Sequence, residues 1–179
     1  MIHHFYSAVK QAINDKFPAI RRVDYDYGQW QGEKPDKPNY SGKAFYIFFP
    51  EIDIVTNSIG ACKTTEDFYF EVVYVEHSIK DGDTRIGGAH WATVTELCKL
   101  LNLRSFNISD VPGSGVAEGS SEDRRICSSL NLAKIKPETE LSQLIVTRVG
   151  FNCIVAFWDI VIEEDTAIIN PELNVEIIS

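Results

Sequence analysis

Between Ile2 and Ile13 the apolar residues Ile2, Phe5, Tyr6, Val9, Ala12 and Ile13 return at steps of three and four, which lays one stripe along a helix, and Pro18 predicts its end. From Ile20 to Trp30 the period changes. Val23, Tyr25 and Tyr27 alternate with Arg22, Asp24 and Asp26, the pattern of a half-buried strand. The segment QGEKPDKPNYSGK that follows is rich in Pro, Gly and charge and predicts a projecting loop. Ala44 to Phe49 (AFYIFF), closed by Pro50, has the length and aromatic content of a central strand. An irregular stretch from Glu51 to Thr65 carries isolated apolar side chains at Ile52, Ile54, Val55 and Ile59, with room for part of it to pair as a hairpin arm.

Glu66 to His77 (EDFYFEVVYVEH) is apolar on both alternating faces, Phe68, Phe70, Val72 and Tyr74 against Tyr69, Val73 and Val75, so it predicts an interior strand. Asp81-Gly82-Asp83 and Gly87-Gly88 punctuate a loop before a second helix over Ala89 to Leu103, striped by Trp91, Val94, Leu97, Cys98 and Leu101. Asn107 to Arg125 has few large apolar residues and many Gly and Ser, the composition of a mobile surface loop. A weakly patterned segment, Ile126 to Ile135, precedes a long final strand, Ile145 to Ile162, expected to bend near Gly150. This order predicts an α+β fold: one mixed or antiparallel sheet, two helices on one face, long loops and a C-terminal arm. One domain over residues 1–163 and an arm over 164–179 are the expected boundaries, without internal repeats.

Composition narrows the partners. The 179 residues are 44% hydrophobic, enough for one core, and carry a formal charge of −9, which disfavours gripping phosphate backbones or an anionic membrane. No basic segment followed by an apolar run opens the chain, and no stretch has the length of a membrane span, so synthesis in the cytoplasm is expected. Cys62, Cys98, Cys127 and Cys153 never form a CxxC pair, and Cys98 and Cys153 sit in apolar runs, where a reduced, buried thiol is expected.

Motifs for chemistry fail one by one. Gly113-Ser114-Gly115 with Gly119 misses the GxGxxG spacing and has no Lys-Ser/Thr after it. Asp81-Gly82-Asp83 lacks the remaining acidic positions of a calcium loop and reads as a turn, and Glu163-Glu164-Asp165 as solvated charge. His77 and His90, beyond the adjacent His3 and His4, belong to no metal pattern, and His90 lies eight residues from Cys98, over two helical turns. No catalytic residue, metal or cofactor is expected, and the chain is expected not to be an enzyme. The alternative is a small enzyme or ligand-binding domain built from dispersed His77, His90, Asp81 and Asp83, for which an enclosed pocket with perturbed groups is the distinguishing mark.

Trp30, Tyr40 and Tyr46 border the Pro-rich loop, where aromatic side chains serve either as interface material or as closure of a sheet edge. Long loops, terminal arms and strands aromatic on both faces give more apolar surface than one small unit covers, which predicts self-association. Trp30, Tyr40 and Ile59 are the candidate interface residues.

The sequence YSAVKQAINDKFPAI, then VDYDYGQW, a Pro-containing loop and AFYIFFPEI resembles the tail-terminator and tail-completion (neck) proteins of tailed bacteriophages and prophages. FYFEVVYVEH, HWATVTELCKLLNL and FNCIVAFWD are similar to the remaining strands and second helix of that family, so the resemblance spans Phe5 to Asp159, while the loop at 107–125 and the tail after Glu163 depart from it. The resemblance implies a virion protein: a subunit of a ring, commonly six-fold, that ends the tail tube and meets the head connector. It implies as partners copies of itself, tail-tube protein and connector protein, with no sequence-specific nucleic acid and no membrane. An acidic chain lining such a channel would repel DNA and let it slide.

Overall fold

The computed structural model describes residues 2–28, 42–50, 63–64, 68–77, 84–138 and 144–157. The N-terminal stripe forms α1 (Ile2–Lys16), which buries Phe5, Ala8, Val9, Ala12 and Ile13 and places Lys16 in its last turn, the favourable sign for a helix C-terminus. Phe17 still donates its N–H to the Ile13 carbonyl at 2.9 Å, and at Pro18 the helical N–H ladder can no longer continue.

The strands are β1 (Val23–Tyr25), β2 (Lys43–Phe48), β3 (Lys63–Thr64) and β4 (Phe68–His77). After α2 (Thr84–Leu101) come β5 (Phe106–Asn107), a 3-10 turn at Ile108–Asp110, β6 (Arg125–Cys127), β7 (Asn131–Glu138), β8 (Leu144–Cys153) and β9 (Ala156–Phe157). Five of them form one sheet in the order β1-β2-β4-β8-β7, and β3 with β9 and β5 with β6 make two small pairs. β1 runs parallel to β2 while the other neighbours are antiparallel, so the main sheet is mixed and the fold is α+β.

Register decides which side chains share a face. Phe45, Val72, Tyr74, Val149 and Phe151 point to the side that α1 and α2 cover, and they join Phe5, Val94, Leu97 and Leu101 in the main core. Phe5 sits among Phe68, Phe70 and Phe106 at centroid distances of 5.4, 5.1 and 6.3 Å in edge-to-face geometry, which favours contact between ring edges and faces. On the opposite face Ala44, Tyr46, Val73, Val75, Leu144 and Val146 are also buried. β4 is therefore interior on both faces, as its doubly apolar pattern predicts.

Several boundaries differ from the sequence expectation. β1 is three residues long, because beyond it Asp26 is buried and turned back, accepting the Gly28 N–H at 2.9 Å. α2 begins at Thr84 and contains Gly87 and Gly88, which the sequence pattern assigned to a loop. Two glycines cost about 1 kcal/mol each inside a helix, and burial of Val94, Leu97 and Leu101 along the same helix outweighs that. The segment 107–125 is tied down rather than loose. The Asp123 carboxylate accepts the N–H groups of Ser109 and Gly119, both at 2.9 Å, and Asp110 accepts that of Asn107 at 2.8 Å. Polar side chains thus hold a segment whose apolar anchoring to the main core comes from Val111 and Ile108.

Gly150 does not interrupt the pairing of its strand. β8 pairs with β4 without interruption from Phe68↔Cys153 to His77↔Leu144. The irregularity lies across the ladder, in β7, where a bulge falls between Leu132 and Lys134 opposite Gly150. A Cβ on Gly150 would stand 2.3 Å from the Tyr69 hydroxyl oxygen, so the glycine makes room for a ring lying across the strand. Among the described residues no helix is long and apolar enough to cross a membrane.

Candidate functional site

β7 is an outer strand, and seven of its eight positions are exposed. Its side chains divide by register. Leu132 and Ile135 lie opposite Phe151 and Val149, so they belong to the helix side of the sheet, yet they stay 38% and 44% exposed. Lys134 and Lys136, opposite Gly150 and Arg148, project on the other side. A bulge, two lysines and Pro137, which has no N–H, discourage another strand from pairing with this edge. The outward N–H of Leu132 is itself taken by Asn102 Oδ1 at 3.1 Å. The surface offered is therefore one of side chains rather than backbone.

Next to it stands the end of α2. Leu103 adopts φ 65°, the left-handed conformation that usually falls to Gly after a helix, and its N–H donates to the Leu130 carbonyl at 2.7 Å. Its side chain is 69% exposed, so the unfavourable backbone is not offset by burial within the subunit. At the other edge of the sheet, Tyr25 and Tyr27 are exposed at 42% and 70%.

An ion-pair network braces β7. Arg148 on β8 donates through Nε to Glu138 at 2.6 Å and through Nη1 to Glu71 at 2.8 Å, and Glu71 accepts the Tyr69 hydroxyl at 2.7 Å. All three charged side chains are largely buried, with Arg148 15% exposed. Burial works against the Arg148 charge, but the two carboxylates hold its pKa above the ordinary value. Burial, with the hydrogen bond to Glu71 behind it, pushes the Tyr69 phenol up. The network spans β4, β8 and β7 and makes the outer strand part of the rigid sheet.

His90 occupies a second polar cluster, at the junction of α2 and the sheet. It is 1% exposed, with Nε2 2.8 Å from the Thr147 hydroxyl and Nδ1 3.3 Å from Glu76 Oε2, a contact off the axis of an ideal hydrogen bond. Glu76 also meets Lys43 at 3.2 Å and accepts the Tyr74 hydroxyl at 3.2 Å. Burial raises the Glu76 pKa, and its bonds to His90, Lys43 and Tyr74 more than reverse that, leaving it below the ordinary value. Both ring nitrogens of His90 face side chains of the core, which makes it a packed structural histidine.

The glycine-rich segment forms a groove of about 410 Å³ lined by Gln11 and residues 109–116. Gly113, Gly115 and Gly119 have φ of 76°, 69° and 73°, as turns require, and the next element is the strand β6. A phosphate site needs a helix N-terminus here, and the groove's lining supplies the Asp110 carboxylate instead. Among the described residues Cys98, Cys127 and Cys153 form no disulfide; Cys127 and Cys153 are buried and Cys98 half-buried. Burial raises the Cys98 pKa, and His90 is turned to Thr147 and Glu76, so no His–Cys nucleophile forms between them. Among the described residues no group of three or more His, Cys, Asp or Glu is placed to hold a metal ion.

Trp30, Tyr40 and Ile59 lie outside the described residues, as do Asp81 and Asp83, and of His77 only the backbone is described. Tyr46, at the edge of the Pro-rich loop, is fully buried with Arg22 over its ring at 5.6 Å, which makes it sheet closure. Leu103, Leu132 and Ile135 escaped the sequence reading. The one signal available was NLAKIK, where two lysines flank an isoleucine in an acidic chain.

No family model and no curated protein matches the chain. Among solved structures, a chain of the virion of a native gene transfer agent particle aligns with a TM-score of 0.49 and 12% identity, over 87% of this chain and 97% of that one. A second solved chain aligns with a TM-score of 0.46 and 15% identity, over 87% of this chain and 93% of that one.

Proposed function

We propose that the chain is a structural subunit of a phage or prophage tail or neck assembly, in which copies close into a ring that ends the tail tube and joins it to the head connector. One observation carries the self-association: the two edges of the main sheet present unlike exposed patches, aliphatic and basic on β7, tyrosine-bearing after β1. Rings need such heterologous contacts, where one patch meets a different patch on an identical neighbour. The tail or neck position is supported by the order of helix and strand motifs in the sequence, which resembles the tail-terminator proteins. The six-fold order and the acidic lumen along which DNA would slide belong to the same proposal.

Native mass spectrometry and negative-stain microscopy of the purified chain test it. Closed rings that cap preformed tail tubes are the expected result. A protein that stays monomeric at high concentration and leaves tube length unaltered would refute it.

A further inference from the structure

The apolar ledge beside β7 has a complement within the chain's own sequence. Residues 158–179, WDIVIEEDTAIINPELNVEIIS, combine Ile, Val and Leu with six carboxylates, Asp159, Glu163, Glu164, Asp165, Glu172 and Glu176, and contain no Lys or Arg. We propose that this acidic, aliphatic C-terminal segment of one copy docks on the ledge formed by Leu103, Leu132 and Ile135 in a second copy, with its carboxylates meeting Lys134 and Lys136. The inference rests on the ring reading and specifies one of its contacts.

Four observations carry it. The first is charge: Lys134 and Lys136 are exposed, and among the described residues neither forms an ion pair, while the segment offers only negative partners. The second is shape and polarity, since aliphatic positions at Leu103, Leu132 and Ile135 remain 69%, 38% and 44% exposed in the single chain. The third is Leu103 itself, a leucine in a left-handed conformation that favours glycine and that buries little in its own subunit. An apolar side chain kept at such a position gains most if a neighbour covers it. The fourth is reach. Val155 bridges Cys127, and β6 leads through Leu130 into β7, so the described chain approaches this edge before residue 158, and a fully extended segment of that length reaches about 70 Å. That distance is enough to cross to a neighbouring copy.

Because β7 resists strand addition, the contact is one of side chains on its helix-side face and of charges across its edge. Specificity comes from the sign: the segment is repelled by most of an acidic surface and attracted where two lysines stand together.

Zero-length carbodiimide coupling on oligomers assembled from an equal mixture of isotopically heavy and ordinary chains tests the placement. The expected products are peptides joining Lys134 or Lys136 to carboxylates of residues 158–179, about half of them pairing a heavy with a light chain. Coupling confined to chains of one isotope would mean docking within a subunit and overturn the inference, as would rings with no such peptide. A charge exchange gives the second arm. Lys134→Glu with Lys136→Glu should weaken ring association about tenfold, as expected for two exposed ion pairs, and leave the melting temperature of the subunit unchanged. Adding Glu163→Lys and Glu164→Lys to the same chain should recover association. Rings that ignore both changes sink this contact but leave the ring proposal standing, whereas a wild-type protein that is always monomeric sinks both.

Discussion

Gly150→Ala isolates a single cause and exposes it to measurement. Gly150 lies in the middle of β8 and is absent from the positions with positive φ, so its backbone suits any L-residue, and by local preference alone alanine would be neutral or better. The obstacle is Tyr69. An added Cβ stands 2.3 Å from its hydroxyl oxygen, 2.7 Å from Cε2 and 2.8 Å from Cζ. The ring must swing away, and with it goes the 2.7 Å hydrogen bond to Glu71, a charge-assisted bond worth about 1.5–3 kcal/mol. Tyr69 is only partly buried, so the swing itself is inexpensive, and alanine returns about 0.4–1 kcal/mol through the unfolded chain. The net expectation is a loss of about 2 kcal/mol, or a fall of roughly 4–8 °C in Tm for a chain of this size. Urea denaturation followed by circular dichroism gives the number. The decisive comparison is with Tyr69→Ala, in which Gly150→Ala should cost nothing or stabilise slightly. In Tyr69→Phe the hydrogen bond to Glu71 is already gone, so most of the cost should vanish there too. An equal loss in all three backgrounds would show that the glycine serves the backbone and that the reasoning from the ring is wrong.

Other consequences follow from the same geometry. Leu103→Gly should raise the Tm of the isolated subunit, because it removes a left-handed leucine at a cost of about 1 kcal/mol, while weakening ring association; a lowered Tm would contradict the strain argument. Arg148→Met leaves Glu71 and Glu138 facing each other without a cation and should cost about 3–5 kcal/mol, most of it recovered when both become Gln; failure to recover in urea titrations would point to packing rather than charge. Glu76 has a folded pKa held below its unfolded one, so it contributes stability above the ordinary carboxyl value of 4.5 and loses it as pH falls through the lower folded value. Glu76→Gln should therefore lower the urea midpoint near pH 6 and differ from wild type progressively less toward pH 3. A gap that widens in acid would reverse the sign of that assignment.

Short-range pattern was enough for the elements whose neighbours in sequence are also their neighbours in function. The three- and four-residue spacing from Phe5 to Ile13 became α1, and the doubly apolar FYFEVVYVEH became the interior strand β4, because a helix stripe or a two-faced strand is set by periodicity alone. The α+β class followed from their order. Sequence could not show that NLAKIKPE forms an outer strand. A bulge at its start breaks the period of two, and its lysines and proline, the residues that protect an edge, are poor strand signals. Nor could it show that Gly150 answers to Tyr69, since the two meet only when β4 and β8 pair in one register. The same holds for His90, whose place as a buried partner of Thr147, 57 positions away, and of Glu76 depends on the pairing of β4 with β8. Composition and periodicity thus determined which segments become helix and strand, and that the chain is acidic. The tertiary structure decided which apolar residues stay uncovered, because exposure depends on where the sheet ends and how far the helices reach across it.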